Sequence, residues 1–539
     1  MEVSLIGNSQ MKIGKADENL RDLRFFNLRN NYNNKVLISK TRVCFGQLVN
    51  SENSNHGFRF TLRAVKADAI SVEEKDNSSS LRSLKSVDGM RLFVGLPLDT
   101  VSKSNIVNHA RAITAGLQAL KLMGVDGVEL PVWWGIVEKD AMRKYDWSGC
   151  LAIAEMVQQM GLKLHVSLCF HASQELKIPL PDWVSRIGEA EPNIYFTDRA
   201  GRQYKECLSL AIDDLPIFDS RSPIQMYQDF CESFNSTFAP FMGSTITGVT
   251  IGLGPDGELR YPSCDHAKKH NNHSGVGEFQ CYDNYMLEHL KQHAEEMGNP
   301  MWGLGGPHDV PTYDELPSAS SFFKDDGGSW ETPYGDFFLS WYSNQLISHG
   351  NRILLLASAV FSKSPVIVSG KLPLVHSWYN TRSHPSELTA GFYNTVNRDG
   401  YEALVQMFAK NSCRIILPGM DLSDAHQPNG SSPQSLQLQI EGSCRKHGVA
   451  ITGENLSFPR VTDGFEKIKG SLLEDNKVMD SFTYQRMGAD FFSPKHFPLF
   501  TAFVRAVNQL DLDVDDMPET RRVCEPVHMS LEAVQMQVA

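Results

Sequence analysis

The sequence predicts an α/β fold, a closed (β/α)8 TIM-type barrel. Three observations point there. Eight short apolar runs alternate with stretches of helical periodicity. Polar residues gather directly after several of those runs, where barrel strands open onto the active face. No Gly-x-Gly-x-x-Gly follows the first run, so an open, dinucleotide-binding sheet lacks its fingerprint.

Residues 91–96 form the first run. A helical stretch carrying Ile106, Ala110, Ile113, Leu117 and Leu120 follows. The second run is 128–134, and the helix after it carries Leu151, Ile153, Met156 and Val157. Residues 164–170 are the third run and 246–251 the fourth. A long helix through Phe337, Leu339, Trp341, Leu346 and Ile353 precedes the fifth, 365–368. The remaining runs are 413–417, 448–452 and 479–484. His171 follows run three, Glu258 run four, Lys371 and His376 run five, Glu454 and Asn455 run seven, and Arg486 run eight. Each residue alone reads as structural; five runs ending this way read as one site.

The chain has 539 residues, 41% of them hydrophobic, and a net charge of −12. That length suits one large barrel with insertions, and that apolar content supplies a sizeable core. An acidic chain offers no basic face to nucleic acid or an anionic membrane, and it fits a neutral substrate. No apolar run is long enough to span a bilayer. The 10 cysteines are scattered without Cys-x-x-Cys, which points to buried thiols in a reducing compartment and away from zinc. Residues 1–88 read as a transit peptide and linker. They are polar, the bases outnumber the acids from Arg21 to Lys66, and no secretory apolar core is present. Asp17, Glu18 and Asp22 depart from transit composition, and a plain disordered tail is the competing reading. Residues 89–510 are the barrel and 511–539 a loosely ordered tail.

The most informative stretch is 252–263, Gly-Leu-Gly-Pro-Asp-Gly-Glu-Leu-Arg-Tyr-Pro-Ser. Glycines and a proline force a turn at the end of run four. Glu258 sits just past it, beside Arg260 and Tyr261. A carboxyl held there by tight backbone is a candidate acid catalyst; a lone Gly-x-Glu is more often a surface turn.

From about residue 91 to about 509 the chain resembles plant β-amylases. The resemblance rests on 124–128 (Gly-Val-Asp-Gly-Val), 133–138 (Trp-Trp-Gly-Ile-Val-Glu), 178–181 (Ile-Pro-Leu-Pro), 257–263, and 386–391 (Ser-Glu-Leu-Thr-Ala-Gly). It implies a barrel with long inserted loops and a C-terminal loop region. The activity it implies is exo-hydrolysis of α-1,4-glucan from the non-reducing end, with inversion, release of maltose, and no metal or other cofactor. Inversion needs one neutral carboxyl to protonate the leaving oxygen and one carboxylate to activate water. The two lie about 6.5–9.5 Å apart. The resemblance assigns the acid to Glu258 and the base to Glu454. It makes Lys371, Arg486 and Asn455 site residues, and His171 and His376 sugar contacts. Trp133, Trp134 and Trp378 suit glucose faces, with buried core tryptophan as the competing view.

Three departures bear on activity. Pro131 stands where the family has an aspartate before the tryptophan pair. Residues 172–177 replace a longer glycine-rich lid ending in an aspartate. Ile416 replaces the threonine that hydrogen-bonds the base. Each lost contact of this kind costs about 2–4 kcal/mol in the transition state. The resemblance therefore implies a β-amylase-type protein of starch breakdown in the chloroplast with little or no activity. Two alternatives stand beside it: an active maltohydrolase, or a non-catalytic glucan-binding partner of a working β-amylase.

Overall fold

A computed structural model describes residues 90–264, 275–428, 430–456, 462–473 and 478–508. The expectations for residues 1–88 and 511–539 lie outside these residues.

Ten strands occur in chain order: β1 (Arg91–Gly95), β2 (Gly127–Trp133), β3 (Lys163–Cys169), β4 (Tyr195–Thr197), β5 (Gln203–Leu208), β6 (Ile246–Ile251), β7 (Ile367–Lys371), β8 (Arg414–Leu417), β9 (Ile451–Glu454) and β10 (Met479–Tyr484). Eight of them close in parallel as β1-β2-β3-β6-β7-β8-β9-β10, and β4 and β5 form a separate antiparallel pair. The eight predicted runs are the eight barrel strands.

Strand alternation builds two environments. Leu92 and Val94 on β1, Val128, Leu130 and Val132 on β2, and Leu164, Val166 and Leu168 on β3 are buried in the main apolar core. Helices cover that outer face. α1 (Ala110–Met123) contributes Ile113, Leu117 and Leu120; α2 (Trp134–Val137) is one short turn; α3 (Ser148–Gln159) contributes Ile153 and Val157. The alternate positions face inward and are mostly polar. Glu129, His165, Ser167, Thr250, Arg414, Thr452, Glu454 and Thr483 line a closed cavity of about 10 Å³, room for one water. At the opposite end from the site, Asp480 pairs with both Arg91 and Arg414.

Two sequence expectations shift. The first helix begins at Ala110, and Ile106 is exposed rather than part of its apolar stripe. Pro131, in mid-strand, is tolerated because β2 outlasts its neighbour. β1 pairs β2 only as far as Gly95 with Glu129, whereas β3 accompanies β2 to Trp133. Beyond Glu129, β2 has one ladder partner, and a residue without an N–H is least costly at such an edge.

Long segments carry the remaining helices: α4 (Asp182–Ala190), α5 (Pro223–Thr237), α6 (Asn284–Glu296), α7 (Pro333–Phe361), α8 (Pro385–Ala390), α9 (Glu402–Lys410), α10 (Pro433–His447), α11 (Thr462–Leu473) and α12 (Phe497–Asn508). α7 is the predicted long helix. Thr332 caps it, accepting from the Gly335 N–H at 3.1 Å, and Pro333 occupies its first turn. Asp283 caps α6. It accepts from the Met286 N–H at 2.9 Å and from the Ser209 hydroxyl at 3.1 Å, which ties the insertion between β6 and β7 to the segment after β5.

Burial pushes the Asp283 carboxyl up to about 7, against the hydrogen bonds that favour its ionised form. Glu138, buried under Trp134, is likewise pushed up to about 7 by burial. A carboxyl whose value is raised on folding stabilises the fold in acid. Here that stability is present below about 4 and lost as pH rises through about 7. Asp283→Asn keeps the acceptor for Met286 and can donate to Ser209. Its stability advantage over the wild type should therefore widen by about 2 kcal/mol between pH 5 and pH 8. Urea unfolding at the two values measures this, and a constant gap would refute the titration.

Candidate active site at the barrel mouth

The turn after β6 fixes Glu258. Asp256 and Gly257 both adopt left-handed backbone, with φ of 54° and 79°. The turn is closed by Gly257 N–H to Gly254 O at 3.0 Å and Glu258 N–H to Pro255 O at 2.9 Å. A glycine at 257 avoids the cost that a side chain carries there. Glu258 then bridges Lys371 at the end of β7, and the Leu259 N–H donates to the Lys371 carbonyl at 2.9 Å. From outside the barrel, His349 on α7 holds the Leu253 carbonyl through Nε2 at 2.9 Å and Asp213 through Nδ1 at 2.8 Å.

Arg260 donates from Nε to Glu258 Oε2 at 2.8 Å and from Nη2 to Asp256 Oδ2 at 2.6 Å. Burial pulls the guanidinium down, but Glu258 and Asp256 outweigh it and leave it above its ordinary value. This contact is built for a carboxylate.

Glu454 ends β9 with its side chain 5% exposed. Lys371 Nζ lies 2.6 Å from its Oε2, and Gln485 donates from Nε2 to its Oε1 at 3.0 Å. The Met420 N–H donates to the Glu454 carbonyl at 3.0 Å. Burial pulls the Lys371 ammonium down, but Glu454, Glu258 and Glu129 together raise it. One buried ammonium thus serves carboxylates from β9, the turn after β6, and β2. In barrel order β6 and β9 are three strands apart, so Glu258 and Glu454 approach Lys371 from different sides of the mouth.

Asn455 and Arg486 brace this cluster. Asn455 donates from Nδ2 to the Gln485 carbonyl at 2.6 Å and accepts from the Gln485 N–H at 2.7 Å. Arg486 Nη1 donates to the Leu96 carbonyl at 2.6 Å and lies 3.7 Å from Glu129 Oε2. Sequence reasoning missed Glu129 and Gln485. The signal for Glu129 was an acid inside a buried strand run. Gln485 carries no local signal, because its partners lie 31 and 356 positions away.

His171 is buried, and burial pushes it down to about 4, so the ring is neutral at physiological pH. Burial also lowers His376. Each has a buried Nδ1 without a partner among the described residues. His171 packs edge-on to Trp133 at 5.3 Å and lies beside Gly257. His376 belongs to the other rim, where its carbonyl accepts from the Ser432 N–H at 3.2 Å. Of the tryptophans, Trp133 and Trp134 are core residues, 4% and 0% exposed. Their Nε1 groups donate to the Leu98 carbonyl at 2.8 Å and to Glu138 at 2.7 Å. Trp378 is half-buried against Gly430.

The segment after His171 is a closed turn. Ser173 and Ile178 exchange hydrogen bonds at 2.8 and 2.9 Å, and the Ala172 N–H donates to the Glu206 carbonyl on β5 at 2.6 Å. Ile416 sits within β8, registered between Lys371 and Thr452. It gives Glu454 no hydrogen bond, yet Glu454 is not short of donors, since Lys371 and Gln485 take one oxygen each.

A closed parallel barrel gathers the residues that follow its strands at one face, and Glu258 and Glu454 both lie there. The chain belongs to glycosyl hydrolase family 14, whose sequence model matches residues 93–509. It is 56% identical over 530 residues to the inactive β-amylase 9 of Arabidopsis thaliana, covering 97% of this chain and 96% of that protein. It is 40% identical over 433 residues to the chloroplastic β-amylase 2 of Oryza sativa subsp. japonica, covering 78% and 77%. Among solved structures it is similar to the catalytic domain of β-amylase from Paenibacillus polymyxa, with a TM-score of 0.64 and 26% identity over 78% of this chain and 98% of that one.

Removing one partner of a buried ion pair leaves the other uncompensated, at about 3–5 kcal/mol. Lys371→Met should therefore destabilise the protein by about that amount. The double variant Lys371→Met/Glu454→Gln should recover a clear part of the loss. Equal destabilisation in both, by urea unfolding, would show that the pair is not what Lys371 supplies.

Proposed function

We propose that this protein is a starch-directed member of the β-amylase family that recognises α-1,4-glucan at the barrel mouth and releases maltose slowly or not at all. In this reading Glu258 is the acid and Glu454 the base of the inverting reaction, and no metal or other cofactor takes part. His171 and His376 offer neutral rings to sugar hydroxyls. The observation that carries the loss of activity is the closed turn at 172–178. Its ends are latched to each other and to β5, so it has no free length with which to cover a bound sugar. Lid closure normally excludes water and completes the catalytic array. Pro131 offers no side-chain partner to a sugar hydroxyl. The name of the Arabidopsis relative agrees with a loss of activity.

Two other readings remain distinct. An active, slow maltohydrolase is favoured by the retained Glu258 and Glu454. A non-catalytic glucan-binding partner of a working β-amylase is favoured by the short, latched turn. Maltose release from soluble starch by purified protein at high concentration separates them, with Glu258→Gln as the control. The rate is expected to be at least about a hundredfold below an ordinary β-amylase, as several lost contacts of about 2–4 kcal/mol imply. Grafting a family-length lid together with Pro131→Asp and Ile416→Thr should recover much of it. An ordinary rate in the unmodified protein rules out the inactive reading. A dead restored variant means the lesion lies elsewhere.

The transit-type composition of residues 1–88 and the chloroplastic rice relative support a plastid location. The mature protein from leaf should begin near Ser83. Mass spectrometry that finds an intact Met1 would contradict this.

A further inference from the structure

Gln485 hydrogen-bonds both Glu454 and Glu129 through its side chain. Its Nε2 donates to Glu454 Oε1 at 3.0 Å and, more weakly, to Glu129 Oε2 at 3.4 Å. The amide orientation follows from these contacts, since turning it over would set an oxygen against two carboxylates. Its Oε1 is buried without a partner among the described residues. The space it occupies exists because residue 95 is glycine. A Cβ built there would lie 2.2 Å from Gln485 Oε1. The backbone beneath is immobilised at both ends. Asn455 holds the N–H and carbonyl of Gln485, and Arg486 is tied to the Leu96 carbonyl.

The chemistry of that position is specific. Water activated by Glu454, or a sugar hydroxyl bound at the same place, would donate a hydrogen bond to a Glu454 oxygen. Lys371 meets one of those oxygens and Gln485 the other, and the Gln485 amide lies on the side facing Glu129. A side-chain amide presents two N–H groups on one nitrogen, so it can take the place of a water, or of two sugar hydroxyls, that donates to both carboxylates. It is also tethered, so a free ligand must displace it at an intramolecular disadvantage.

We propose that Gln485 is a specificity-determining plug. Its amide occupies the position between Glu129 and Glu454 where a water or a pair of sugar hydroxyls would donate, and Gly95 makes room for it. The proposal rests on the glucan reading for its ligand but not for its geometry. Two readouts keep the two apart. Maltopentaose binding is measured by titration calorimetry on the full chain. Accessibility of Glu454 is measured without any sugar, by labelling with a water-soluble carbodiimide and mapping the adduct by peptide mass spectrometry. Gln485→Ala removes the plug. Gln485→Met keeps its length but not its donors. Gly95→Ala leaves the amide intact and pushes it aside.

Gln485→Ala and Gly95→Ala should each raise Glu454 labelling severalfold and tighten maltopentaose binding about tenfold or more. Gln485→Met should fall between them and the wild type in both readouts. Thermal unfolding checks that each variant is folded, and two independent routes to opening the site guard against one that is not. Unchanged labelling and binding in both opening variants would overturn the plug while leaving glucan recognition intact. Raised labelling with no sugar binding in any protein would uphold the plug and remove the glucan reading.

Discussion

Lys371 is the charge around which the mouth of the barrel is assembled. Its ammonium is buried among carboxylates from the turn after β6, from β9 and from β2. A buried ammonium without a counter-charge would be expelled or neutralised, and so would a buried Glu454. Each makes the other tolerable. The backbone follows the same logic, because Glu258 bridges Lys371 and the next residue donates to its carbonyl. The strand that carries the cation also sets the height of the candidate acid.

Around that pair the site is braced more fully than an open substrate cleft requires. Arg260 holds Glu258, Gln485 holds Glu454, Asn455 holds Gln485, and Arg486 joins Glu129 to the end of β1. Hydrogen-bonding capacity that a substrate would otherwise meet is spent inside the protein. The histidines are the exception. Among the described residues His171 and His376 each keep a buried ring nitrogen without a partner, and burial favours the neutral form of both rings. The two carboxylates of the mouth are thus engaged by protein groups. At the departures seen in sequence, Pro131 carries no side-chain donor or acceptor, and the turn at 172–178 is short and tied to β5. Ile416 matters less than its position suggested, because Lys371 and Gln485 supply donors to Glu454 from other strands.

The barrel was legible in the sequence because it rests on local pattern. Apolar runs of strand length alternate with helical stripes, and each run became a barrel strand. The candidate residues were legible for a related reason, since a barrel places whatever follows each strand at one face. Glu258, Lys371, Glu454 and Asn455 could be picked out by that rule and by the resemblance. Their roles were less visible. Asn455 and Arg486 make contacts to Gln485 and Leu96 that the sequence does not show, and of the two readings for Trp133 and Trp134 their burial favours the core. In each case the local sequence gives the residue type, and the burial that decides its use comes from other segments.

Sequence by itself determined the succession of the strands, the turn that ends β6, and the ionisable groups that directly follow the strands. Only the tertiary structure decided which of those groups meet. Gln485 and Glu129 stand 356 positions apart and share one contact because barrel closure puts β10 beside β1, and β1 ends at Gly95, which leaves Gln485 room to reach across to β2. Pro131 is tolerated in a strand interior because β1 stops at Gly95, a fact about a neighbour. Hydrophobic periodicity is written along the chain. Charge pairing depends on separations of a few ångströms between segments, and ring closure alone sets those.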